Sequence, residues 1–155
     1  MSFRILGLSP TLFQHLYGLP ESELAVAGVQ RCMADSKPGF PDRVTLCDAE
    51  PGQHLLLLNY VHQDSDTPYR ASHAIFVLEG ATDCYQQIDA VPESLRSRMM
   101  SLRAFDAGGM MLDAGLVHGR ELETEIARQF ADPAVTYLQA HYATRGCYAA
   151  RIERV

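Results

Sequence analysis

Six cationic or ionisable side chains gather on two stretches that flank the most apolar run of the chain. Lys37 and Arg43 bracket a loop, Lys37-Pro38-Gly39-Phe40-Pro41-Asp42-Arg43. His62, Tyr69, Arg70 and His73 mark the second stretch, and Leu55-Leu56-Leu57-Leu58 lies between the two. A guanidinium holds a carboxylate or phosphate through two parallel hydrogen bonds, so Arg43 and Arg70 are candidates for gripping an anion. Lys37 is the single lysine beside twelve arginines and would add a point charge. Tyr69 and His62 would orient the bound group.

The same residues also admit acid–base chemistry. His62 or His73 can serve as a general base, with Ser72 or Tyr69 near it, although no GxSxG-type elbow places a nucleophile. Two histidines with Asp64 or Asp66 have the donor types for a divalent metal, and metal-assisted hydrolysis is the enzymatic alternative. Their spacing matches no standard ligand signature, so no metal and no cofactor is expected. His54 lies eight residues before His62. On one strand that is roughly 26 Å, too far to share a site.

Chain direction decides whether these groups meet. Arg43–Asp48 alternates Val44 and Leu46 with Thr45 and Cys47, which predicts a half-buried strand. Glu50-Pro51-Gly52-Gln53 predicts a turn into a second strand over 54–62. Apolar on both faces, that strand should be central. A polar loop over 63–72 then leads to a third strand, 73–79. Three consecutive antiparallel strands would bring Arg43, His62 and His73 to one end of the sheet, together with the loops carrying Lys37 and Arg70.

Around this ribbon the chain predicts short strands at 3–8 and 29–34, then at 100–105, 110–116, 135–142 and 147–154. Ser9 and Pro20 start two short helices. The clearest helix is 119–131, where Leu122, Ile126 and Phe130 recur every four residues and Pro133 blocks continuation. Tight turns join most neighbours, which predicts an α+β class with a mainly antiparallel sheet. Four methionines, Met99, Met100, Met110 and Met111, read as core filling.

The length of 155 residues suits one domain spanning 1–155. A hydrophobic share of 47% and a charged share of 21% are those of a packed globular chain. The net charge of −6 argues against a nucleic-acid duplex or an anionic membrane as partner. Cys32, Cys47, Cys84 and Cys147 are widely spaced with no CxxC. They read as free thiols of a cytoplasmic protein. Cys32 and Cys147, on predicted strands, read as inert core residues. Oligomeric state and reaction are left open.

The runs KPGFPDRVTLCDAEPGQHLLLLNYVHQ, DTPYRASHAIFV, RAFDAGGMMLDAGLVHGRELE and GCYAARIE cover nearly the whole chain. Together they resemble a family of small bacterial proteins known as a domain of unknown function. The resemblance implies a stand-alone bacterial protein and brings no activity with it. It also implies that the loop often carries cysteine where this chain has Asp42, so a loop thiol is not available here. The residues therefore point to a small anionic ligand or partner held by Lys37, Arg43, His62, Tyr69 and Arg70. An enzyme using His62 or His73 is the alternative.

Overall fold

A computed structural model describes all residues, 1–155. The fold is α+β and is built on two antiparallel sheets. Nine strands form: β1 (Phe3–Leu6), β2 (Gln30–Met33), β3 (His54–Gln63), β4 (Ala71–Leu78), β5 (Gln86–Ile88), β6 (Met99–Phe105), β7 (Met111–His118), β8 (Tyr137–Tyr142) and β9 (Tyr148–Arg154). The larger sheet has the order β5-β1-β9-β8-β6-β7, and the smaller has the order β2-β3-β4. Three short helices accompany them: α1 (Glu21–Val26), α2 (Glu93–Arg96) and α3 (Leu122–Phe130).

The apolar pattern explains the layers. Leu122, Ile126 and Phe130 form one stripe of α3 and bury against Leu102, Leu138 and Ile152 of the large sheet. A second core joins Leu56, Leu58, Ile75 and Val77 of the small sheet to Phe13, Leu24, Val44 and Tyr148. Leu55 packs on the other face of the small sheet with Ala34, Ala49, Phe40 and Phe76. The leucine run is thus covered on both sides, and β3 is the central strand, as its composition requires. Each fully buried leucine contributes about 2 kcal/mol before entropy is counted.

One predicted strand does not form. Residues 43–48 make a tight turn rather than a ladder, with Leu46 at φ 54°. Asp42 is the reason. Its carboxylate accepts from the N–H groups of Val44 (3.1 Å), Thr45 (2.6 Å) and Leu78 (2.7 Å), and from the Thr45 hydroxyl (2.6 Å). The local bonds curl the chain, and the bond to Leu78 fixes the curl to β4. Val44 and Leu46 are buried all the same, so their alternation marked burial and not extension. The partner of β3 on that side is β2, with Cys32 opposite Leu55.

Gly7 lets the turn approach β1. A Cβ on Gly7 would lie 2.1 Å from the Val44 carbonyl oxygen. Leu8 N–H donates to Arg43 O at 2.7 Å and Gly7 N–H to Tyr85 O at 2.8 Å, so the turn is held against the end of β1. The short strand β5, which pairs with β1, has no apolar signature: all three of its residues are exposed.

Candidate functional site

The turn delivers Arg43 into the interior, where it is 2% exposed. Its Nε donates to Tyr148 O (2.6 Å), Nη1 to Pro41 O (2.5 Å) and Nη2 to Cys147 Sγ (3.1 Å). No carboxylate lies within ion-pair distance of it. Its neighbour Asp42 is fully occupied by the turn.

Arg43 forms the floor of a cleft of about 690 Å³ between the two sheets. One wall is Phe40, Pro41, Leu57 and the His73–Phe76 segment of β4. The opposite wall is Arg98, Met99, Tyr142, Thr144, Arg145 and Cys147. The lining holds three arginines and a histidine but no aspartate or glutamate. In a chain of net charge −6 this is a local reversal of sign.

The three arginines differ in commitment. Arg98 is bidentate to Asp48, with bonds of 2.6 and 2.9 Å, and also donates to Ser94 O at 2.7 Å. The Asp48 bonds hold its guanidinium above the ordinary arginine value. Arg145 is exposed on the turn between β8 and β9 and has no ion pair. Arg43 and Arg98 approach the Tyr142 ring at 4.9 and 5.3 Å from its centroid. The Tyr142 hydroxyl is buried without a hydrogen-bond partner. Burial pushes that phenol up, against the pull of Arg43.

The cleft wraps the free edge of β4. Phe76 O accepts from Arg43 N–H at 3.1 Å, and Leu78 N–H donates to Asp42. By the two-residue alternation of a strand, the backbone groups of Ala74 point the same way, into the cleft. His73 bonds through Nδ1 to Ala74 O at 3.1 Å, and the Cys147 sulfur bonds to Arg43. The thiol and the imidazole are therefore not paired with each other as nucleophile and base.

Of the residues expected to form one anion grip, the cleft contains only Arg43; His73, the alternative base, lies in its wall. Arg43 pairs with Phe76, whereas Arg70 precedes Ala71, so six residues of β4 separate them. That is about 20 Å. Arg70 forms an exposed ion pair with Asp64 at 2.6 Å, and Lys37 forms one with Glu50. Tyr69 is exposed on the same loop as Arg70. The convergence expected at one sheet edge fails because residues 43–48 are not a strand of the ribbon.

His62 has a different place. Its ring stacks on Tyr148 at 5.5 Å, and Nδ1 contacts Gln139 Oε1 at 2.9 Å. Gln139 also bonds His141 Nε2 (3.1 Å), His62 O (2.9 Å) and Gln63 Oε1 (2.8 Å). Tyr137 donates to Gln63 Oε1 at 3.0 Å. This buried network bolts β3 of the small sheet to β8 of the large one. Burial lowers the His62 and His141 values, His141 to about 3, and Arg103 acts in the same direction on both. No group of three or more His, Cys, Asp or Glu side chains is placed to hold a metal ion.

Sequence reasoning missed Arg98, Tyr142 and Arg145 as site residues. No local spacing links them to residue 43; the only signals were two arginines at strand ends and a tyrosine closing β8.

The family model described as Protein of unknown function (DUF1203) matches residues 39–154, which include the whole lining of the cleft and both bolted strands. The chain belongs to that family. No curated protein and no solved structure matches it. No helix is long and apolar enough to cross a membrane.

Proposed function

We propose that the protein binds a small anionic ligand in the cleft between its two sheets. The observation that carries this reading is the Arg43 guanidinium, buried with only neutral acceptors around it. An uncompensated buried charge costs several kcal/mol, and an anion in the cleft offsets that cost. Arg145, unpaired at the mouth, supplies a second contact and attracts the ligand. Arg98 contributes less, because Asp48 already balances it.

The test is a thermal-shift and calorimetric titration with acetate, phosphate and sulfate at fixed ionic strength. The wild type is stabilised in proportion to ligand occupancy, and Arg145→Ala weakens that response while leaving the unliganded melting temperature unchanged. Equal responses from wild type and Arg145→Ala, or no response from either, overturn the proposal.

A further inference from the structure

The volume and the asymmetry of the cleft say more about its occupant than its charge does. A space of about 690 Å³ would hold roughly twenty waters at ~30 Å³ each. An inorganic anion would leave most of that space wet. The volume lies inside the range of about 300–1,000 Å³ that takes drug-sized ligands.

Polarity is divided between the walls. Phe40 and Phe76 pack at a tilt with ring centroids 5.3 Å apart, and Leu57, opposite Phe76 in the ladder, continues that side. Arg145 and Arg98 stand across the gap. Met99, 42% exposed, adds an adaptable apolar contact beside Arg98. A fully polar anion meets only one of these surfaces.

We infer that the ligand is an amphipathic organic acid, its carboxylate or phosphate between Arg43 and Arg145 and its apolar body between Met99 and the Phe40–Phe76 pair. This rests on the anion-binding reading and goes beyond it by naming the class. The charged group faces the Arg43 floor, where Arg145 also reaches it. The body takes the inner apolar wall, from which it displaces water.

Calorimetry with straight-chain carboxylates from acetate to octanoate, with the matching alcohols and with inorganic phosphate, tests the class. Each added methylene that leaves water is worth about fourfold in affinity, so affinity climbs along the series until the cleft is full. Arg145→Ala weakens every acid by a similar factor. Met99→Ser flattens the climb. If acetate or phosphate binds but the series is flat, or if Met99→Ser leaves the climb intact, the amphipathic class is wrong and the anion reading stands. If octanol binds as tightly as octanoate, or if neither acids nor phosphate bind, the anion reading itself is wrong.

Discussion

Arg43 Nη2 donates to Cys147 Sγ at 3.1 Å, joining residues 104 positions apart. With the bonds to Tyr148 O and Pro41 O, the contact pins the 41–48 turn to β9. It makes Arg43 a structural tie as well as the floor of the cleft.

Arg43→Met should therefore destabilise the fold, because two buried carbonyls lose their donor. The expected loss is about 3 kcal/mol. Arg43→Lys keeps the charge but not the planar fork and should recover only part of the loss. Urea unfolding of the three proteins checks this; equal midpoints would show that the tie carries no stability.

Asp42→Ala leaves the N–H groups of Val44, Thr45 and Leu78 without their shared acceptor. A cost of roughly 3 kcal/mol is expected from these orphaned, buried or half-buried donors. Asp42→Asn should be nearly as costly, since one of its two oxygens becomes a donor facing donors. Chemical unfolding measures both, and amide exchange at Leu78 should quicken in each variant.

Acid should weaken the fold through His141 and His62. Both are held below the ordinary histidine value, chiefly by burial, His141 to about 3. Between pH 6.5 and about 3 the unfolded chain binds a proton on His141 that the folded chain refuses, and His62 acts in the same direction below pH 6.5. Stability therefore rises with pH across that window and falls on acidification, by up to about 1.4 kcal/mol per pH unit for His141. Urea midpoints at pH 7.5, 6.0 and 5.0 should drop in wild type and drop less in His141→Gln. Parallel profiles for the two proteins would remove His141 from the account.

Much of the fold was legible in local pattern. The Leu55–Leu58 run announced a strand covered on both faces, the four-residue recurrence at Leu122, Ile126 and Phe130 announced α3, and the segments around Gly146 closed as the expected hairpin. Two things were not legible. Val44 and Leu46 alternate like a strand, yet a carboxylate one residue upstream of Arg43 captures the local N–H groups and curls them. Gln139 and His141 lie on a strand whose six residues are all buried, and nothing nearby in sequence shows that their partners are His62 and Gln63. The cleft followed from both. Its walls come from segments more than twenty residues apart, so its basic residues had no shared spacing to betray them.

The order of the large sheet has a bearing on how the protein can be dissected. Strand β1 sits between β5 and β9, although the family match starts only at residue 39. A fragment cut at that boundary would strand β5 without a neighbour and bare the flank of β9 from Arg151 to Arg154, an open template for another chain. The first thirty-eight residues are thus a stitch through the architecture, and trimming to the homologous segment should yield aggregates, not a smaller working unit.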